Sequence, residues 1–421
     1  MSGYDLAVIG LGYVGMPLAK EATGAGLRVV GLDVDPRKVD ALTSGSSYID
    51  DLSDADLDSM LANGFTATLD QSVLAASDTV VICVPTPLDE DHRPDLSAVR
   101  GAVESAARYL QRGTLIVLES TTYPGTTDDF VRPVLEEVSG LTAGVDFHLA
   151  FSPERIDPGN PKYGLRNTPK VVGGYTEACR DRAAGFYARF IEQVVTVSGT
   201  REAEMAKLLE NTYRHVNIAL VNEMAIFCDE LGVNLWESIE AAATKPFGFQ
   251  KFLPGPGVGG HCIPVDPSYL SYSVRKLGYP FRFVELAQEI NERMPAYVVA
   301  RVQRLLNRDK KAVNGSRVLL MGVTYKPDIA DERETPAVPV ARVFRELGAD
   351  LAFADPHVKQ WVVDGVEVPR EEDLAEAVDR ADVTVLLQQH SAFDLDMVEK
   401  RAKLLLDTRG VLSEGERVER L

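Results

Sequence analysis

Cysteine is scarce in this chain, with four residues in 421, at positions 83, 179, 228 and 262, and neither a CxxC pair nor metal-ligand spacing among them. A disulfide-stapled fold and a zinc-ribbon site are therefore excluded, and no metal is expected. In a reducing compartment each cysteine is expected to be buried or catalytic rather than bridged. Positive charge is also short. Lys and Arg number 44 against 63 Asp and Glu, and the formal charge of −19 repels polyanions, so neither nucleic acid nor an anionic membrane is an expected partner. An anionic small substrate would need its own cluster of cations and backbone N–H groups. No apolar run approaches the ~20 residues of a membrane span. The opening MSGYDLAVIGLGYVG has no basic leader or small-residue cleavage site, which makes the cytoplasm the expected location.

What is present is an ordinary globular composition, 45% hydrophobic and 25% charged, in a chain long enough for more than one core. The apolar run DLAVI ends in GLGYVG, an amphipathic stretch follows, and LRVVGLD closes a strand, turn, helix, strand unit. Further apolar runs at 79–85, 114–120 and 147–153 alternate with helical patterns, as in a parallel sheet with crossover helices. From Thr200 a helical period of about 30 residues runs to Gly232, a natural C-terminal stop. Such a helix can connect two domains and pack against a second copy, although periodicity alone serves equally for a helix buried within one chain. A second strand set begins at SRVLLMGVTYKPD and continues through ADLAFADP, ADVTVLLQQ and AKLLLDTRG. The expected fold is α/β, two Rossmann-like parallel-sheet domains joined by a long central helix, with domains over 1–199, 200–310 and 311–421.

Gly10, Gly12 and Gly15 form GxGxxG directly after a strand and before a helix, with Tyr13 and Val14 inside the turn. In that context the glycines permit a sharp turn and close approach of a pyrophosphate to helix N–H groups. Asp33 ends the second strand eighteen residues after Gly15, where its carboxylate accepts from a ribose 2′-OH and repels a 2′-phosphate, favouring NAD over NADP. The competing reading is a surface Asp in a turn before Pro36. Pro85, Thr86 and Thr121 follow later strands and belong on the same binding edge, since open parallel sheets bind ligands beyond their carboxyl ends.

In FLPGPGVGGHCIPVDPSYL, residues 252–270, prolines and glycines crowd the approach to Cys262. A thiolate at the end of such a turned loop is stabilised by clustered backbone N–H groups and becomes nucleophilic. An isolated cysteine is as often a small buried hydrophobe, and spacing does not separate the two. Asp266 also suits a helix N-terminus ahead of Pro267. Lys207 and Asn211, four residues apart, share a helix face. If that face meets substrate, the ammonium stabilises an oxyanion and Asn211 donates beside it.

Taken in order, GLGYVG, VPTP, ESTTYPGT, FSPER, EMAKLLENTYRHVNIALVNE, PGPGVGGHCIPVDP and GVTYKPDIADERETPA resemble the UDP-glucose/GDP-mannose dehydrogenase family across essentially the whole chain. The resemblance implies NAD as cofactor and a nucleotide-sugar substrate, with NAD binding in the first domain, the catalytic loop and dimer contacts in the second and nucleotide-sugar binding in the third. It places the nucleophile at Cys262, the oxyanion-stabilising lysine at Lys207, and water-ordering or basic groups at Asp266, Thr121 and Asn211. Glu154 matches a glutamate of the hydrolytic half, with Arg155 beside it in the same motif. Lys326 and Arg333 match a motif approaching substrate and cofactor. Phe247, Phe252, Gly255 and Gly259 match the loop over the sugar. The implied reaction oxidises C6 twice, through a thiohemiacetal and a thioester on Cys262, to a carboxylate.

The UDP-glucose branch commonly carries a lysine shortly before the catalytic Asp, where this chain has Val265. GHCIPVDP is instead similar to enzymes acting on UDP-N-acetylglucosamine or UDP-N-acetylmannosamine, and Arg214 and His215 suit the acyl group or a phosphate. UDP-glucose oxidation is the alternative. Two further readings keep the fold: a one-step alcohol dehydrogenase with a structural Cys262, and a non-enzymatic NAD sensor needing no thiol. A homodimer or higher homo-oligomer is expected.

Overall fold

The computed structural model describes residues 3–421 except 50–51, 90–92, 158–159, 161, 261–262 and 264, so Cys262 lies outside the described residues. The chain forms two compact units, residues 1–210 with 268–279, and 211–267 with 280–421.

In the first unit, β1 (Leu6–Ile9) leads through α1 (Gly15–Gly24) to β2 (Val29–Leu32), α2 (Pro36–Thr43), α3 (Asp54–Ala62) and β3 (Thr66–Thr68). There follow β4 (Thr79–Ile82), α4 (Ser97–Tyr109), β5 (Leu115–Leu118), α5 (Arg132–Ser139), β6 (His148–Phe151), β7 (Lys170–Gly174), α6 (Glu177–Tyr187) and β8 (Val194–Thr196). These strands make one sheet in the order β3-β2-β1-β4-β5-β6-β7-β8. Strand order reverses between β1 and β4, the switch point beyond which such sheets bind ligands. Every residue of β1, β2, β4 and β5 is buried, because helices cover both faces. Alternate side chains of β1 feed separate cores, Leu6 and Val8 on one face and Ala7 and Ile9 on the other. The expected parallel pairing fails at one place. β6 and β7 run antiparallel, since among the described residues no helix lies between them to carry the chain back across the sheet.

α7 (Thr200–Leu231) is a single helix of 32 residues that ends where Gly232 turns left-handed at φ +67°. Its first eleven residues belong to the first unit and the remainder to the second. The second unit continues with α8 (Leu235–Ala243), the first two residues of α9 (Asp266–Lys276), and α10 (Arg282–Arg308). Then come β9 (Arg317–Met321), α11 (Ala337–Glu346), β10 (Asp350–Ala354), the hairpin of β11 (Trp361–Val363) and β12 (Val366–Val368), and α12 (Leu374–Arg380). β13 (Val383–Leu386), α13 (Leu395–Arg401), β14 (Leu405–Asp407) and β15 (Val418–Arg420) complete it. The order β10-β9-β13-β14-β15 is wholly parallel. β9 repeats the two-sided pattern, Val318 and Leu320 facing one core and Leu319 and Met321 the other.

Candidate functional site

The glycine turn after β1 is fixed by sterics. Gly10 has φ +97°, and a Cβ there would stand 2.5 Å from the Cys83 carbonyl oxygen; one on Gly15 would stand 2.0 Å from the Gly10 oxygen. Around Gly12 there is open space, which is what a closely approaching pyrophosphate requires. α1 begins at Gly15 with Val14 in front of it and no side-chain cap, so its first N–H groups remain suited to an anion. Tyr13 is exposed. The Tyr48 hydroxyl donates to the Leu11 carbonyl at 2.6 Å and braces the turn.

Asp33 is buried at the end of β2 and does more than the sequence suggested. Its Oδ2 accepts the Leu11 N–H at 2.9 Å, its Oδ1 accepts the Asp35 N–H at 3.0 Å, and Lys38 Nζ lies 3.2 Å from Oδ2. It therefore anchors the glycine turn, and the competing reading of a free surface Asp fails. Pro85 and Thr86 follow β4, with Thr86 buried and its carbonyl accepting the Tyr269 hydroxyl. Thr121 is half-buried after β5, beside Ser120, whose hydroxyl donates to the Val84 carbonyl at 2.7 Å. These groups all sit at the carboxyl edge of the first sheet and fit a dinucleotide.

A second group lies beyond β5, β6 and β7 in the same unit. Lys207 on α7 is buried and donates from Nζ to the backbone carbonyl of Glu154. Among the described residues no carboxylate pairs with its ammonium, which leaves two N–H donors for a ligand. Glu154 Oε1 accepts the N–H groups of Arg155 and Ile156, at 2.6 and 2.5 Å, and its Oε2 lies 3.4 Å from Lys170 Nζ. Arg155 is engaged by Glu210 at 2.6 Å and donates to the Pro169 carbonyl at 2.7 Å, so it clamps its own loop.

The other expected residues fall in the second unit. Asn211 Nδ2 donates to Asp266 Oδ2, which joins α7 to the first residue of α9. His215 is buried with neither ring nitrogen hydrogen-bonded, and burial lowers it to about 4, so it is a neutral imidazole. Arg214 and Phe247 are exposed, and Phe252 packs against Tyr213 with ring centroids 5.8 Å apart. Asn222 on α7 accepts the Gly255 N–H at 2.9 Å and donates to Asn291 Oδ1 at 2.9 Å, tying the Pro254–Gly260 loop to two helices. A Cβ on Gly259 would stand 2.7 Å from the Tyr325 Cβ, and one on Gly260 would stand 2.7 Å from the ring of the same tyrosine. Lys326 is thus next in sequence to a ring that seats this loop. Arg333 pairs with Asp331 at 2.6 Å in the segment that also touches it.

Arg409 escaped the sequence reading. Its Nε donates to the Leu387 carbonyl at 2.6 Å, while Nη1 stands 3.2 Å from where a Gly255 Cβ would be. Burial lowers it to about 10, Asp407 opposing. The available signal was the arginine just past β14, at the carboxyl edge of the second sheet. Asp328, His357 and His390 bring ligand atoms within 4.8 Å of one another. His390, however, accepts the Asp328 N–H at Nδ1 (3.0 Å) and meets Asp355 through Nε2 (3.0 Å), the pattern of a satisfied core histidine.

Three models of the UDP-glucose/GDP-mannose dehydrogenase family match the chain in succession: the NAD binding domain over residues 4–191, the central domain over 201–293 and the UDP binding domain over 319–414. The UDP-N-acetyl-D-mannosamine dehydrogenase of Yersinia pestis is 36% identical, covering 98% of this chain and 100% of that protein. The UDP-N-acetyl-D-glucosamine 6-dehydrogenase of Pseudomonas aeruginosa is 37% identical over 85% of this chain and 84% of its own length. The solved UDP-D-ManNAc dehydrogenase of Pyrococcus horikoshii superposes with a TM-score of 0.90 at 32% identity, covering 99% of this chain and 98% of that one. With the glycine turn fitting a dinucleotide and all three domains matched in order, the chain belongs to the UDP-glucose/GDP-mannose dehydrogenase family and is an NAD-dependent nucleotide-sugar dehydrogenase.

Proposed function

We propose that this enzyme carries the C6 hydroxymethyl of a UDP-N-acetylhexosamine to the carboxylate, with UDP-N-acetylmannosamine or UDP-N-acetylglucosamine as substrate. The relatives named for these two sugars are 36% and 37% identical, so identity alone does not choose between them. Lys207 carries the chemistry: a buried ammonium with one carbonyl partner and, among the described residues, no carboxylate is built to meet an anion. The turn of Gly10, Gly12, Tyr13, Val14 and Gly15 with Asp33, Pro85, Thr86, Thr121 and Arg333 would hold NAD, which would supply the hydride acceptor for each oxidation.

Cys262 adds its thiolate sulfur to the C6 aldehyde, forming a C–S bond as the C=O π bond breaks; Lys207 and Asn211 stabilise the resulting oxyanion, which then takes up the proton that the thiol gave up. The second oxidation leaves a thioester, and water attacks its carbonyl, breaks the C–S bond and returns the thiol. Asp266, Thr121 and Glu154 order or activate that water. Arg409, Lys326 and Arg155 supply cations, and Arg214, His215, Phe247, Phe252, Gly255 and Gly259 shape the sugar and nucleotide contacts. The functional division falls at 1–199 for NAD, 200–310 for the catalytic loop and subunit contacts, and 311–421 for the nucleotide sugar.

The test is stoichiometry with both sugars, combined with Cys262→Ala. Two NADH per acid, lost in the variant while nucleotide-sugar binding persists, is the expected result. One NADH with a stable carbonyl product would overturn it. Cytoplasmic location and a homodimer or higher homo-oligomer belong to the same reading. Leu209, Tyr213, Leu220, Phe227 and Leu231 leave an exposed apolar stripe along α7 at helical spacing, which a second copy would cover.

A further inference from the structure

A buried charge cluster lies behind Glu154. Lys170, the first residue of β7, is only 3% exposed, and its Nζ stands 3.0 Å from Glu119 Oε2 and 3.4 Å from Glu154 Oε2. Glu119 follows β5, two residues before Thr121, and is 1% exposed. The Tyr187 hydroxyl on α6 donates to its Oε1, and the Tyr187 ring sits 5.3 Å from the ammonium. Cys83, at the end of β4, is the further titratable group facing the cluster, and Lys207 approaches Glu154 from α7 through its carbonyl.

Removing three ionisable side chains from water is costly, and a core of similar shape built from apolar residues would be no less stable. Fold stability therefore gives no reason for this arrangement. Its geometry does supply one: the ammonium meets the one Glu154 oxygen that the loop N–H groups leave open. We propose that Lys170, backed by Glu119 and Tyr187, is a positioning residue that holds the Glu154 carboxylate in one rotamer for release of the acid product. This rests on the reading above that Glu154 serves the hydrolytic half. Burial alone would lower Lys170, but the facing Glu119 and Glu154 carboxylates raise it, so the ammonium persists. Burial pushes Glu119 up, with Lys170 opposing.

The cluster makes two variants move in opposite directions. In Lys170→Met, two buried carboxylates face each other without a cation and retain one proton between them. The acidic limb of acid release then moves up by about a pH unit or more, the release rate falls at least tenfold, and the adduct on Cys262 accumulates in intact mass spectra, while the first hydride transfer stays within about threefold. In Glu119→Gln, the Tyr187 hydroxyl keeps an acceptor and the ammonium serves Glu154 alone, so the acidic limb moves down. Rapid-quench product analysis across pH, with NADH followed in parallel on the full-length enzyme, reads both. A merely structural cluster slows hydride transfer and acid release together and leaves the limb where it was in both variants, which would overturn the proposal. Should Lys170→Met fail to fold, Glu119→Gln alone decides by the direction of its shift. If the unmodified enzyme gives no Cys262 adduct and one NADH per product, the underlying reading has failed instead.

Discussion

Asp33 anchors the glycine turn, and the proposed contact with NAD would place cofactor choice on the same side chain. Its carboxylate accepts the Leu11 and Asp35 N–H groups, so the acceptor proposed for a ribose is also the post that holds the glycine turn. Hydrogen bonds to a charged group contribute about 1.5–3 kcal/mol each. Asp33→Ala is expected to weaken NAD binding by roughly tenfold to a hundredfold, with no gain for NADP, as measured by titration calorimetry. An unchanged NAD affinity would count against the role. At this scale the sequence was informative wherever sterics dictate residue type: Gly10 and Gly15 cannot be anything else, and their spacing is readable without a structure. It singled out Glu154 but was silent on Lys170 and Glu119, which stand far from it in the chain and meet it only because β5, β6 and β7 are neighbours in the sheet. Arg409 was missed for the same reason, its value lying in the approach to Gly255.

Among elements, α7 bears Lys207, Asn211, Arg214 and His215 of the proposed site. Ahead of Lys207 it presents Glu204, fully buried, which accepts the Gly125 N–H at 2.5 Å, the Thr127 N–H at 2.8 Å and the Thr127 hydroxyl at 2.7 Å. That contact secures the segment following Thr121. Burial pushes Glu204 up to about 7, although the three donors pull it down. Because the folded value exceeds that of the unfolded chain, the contribution to stability is complete below about pH 4.5 and is lost as pH rises through about 7, amounting to on the order of 3 kcal/mol. Melting temperature should fall between pH 5 and pH 8, and the fall should flatten in Glu204→Gln. Equal slopes in the two proteins would contradict this assignment. The long helix and its stop at Gly232 were legible from periodicity, whereas the antiparallel β6–β7 pair was not, since nothing in 152–169 announces that a crossover helix is missing.

For the molecule as a whole, both α/β units were readable from alternating apolar runs, and the structure divides the chain into two compact units. The apolar stripe on α7 bears on assembly. Leu220→Glu with Phe227→Glu should lower the mass seen by sedimentation equilibrium to that of one 46.0 kDa chain. A mass unaffected by both changes would place the contact elsewhere. No helix is long and apolar enough to cross a membrane among the described residues.

The seating of Gly259 and Gly260 on Tyr325 limits how the loop proposed to cover the sugar can change. A methyl group on Gly260 would require the Tyr325 ring to withdraw, and one on Gly259 would meet the Tyr325 Cβ, the Glu334 carbonyl oxygen and Pro336, with Lys326 next in sequence to that tyrosine. Diversification is therefore channelled toward open positions such as Phe247 and Arg214, where a change in size disturbs no neighbour that is locked in place. Libraries confined to those two positions should retain soluble protein far more often than libraries that include the two glycines.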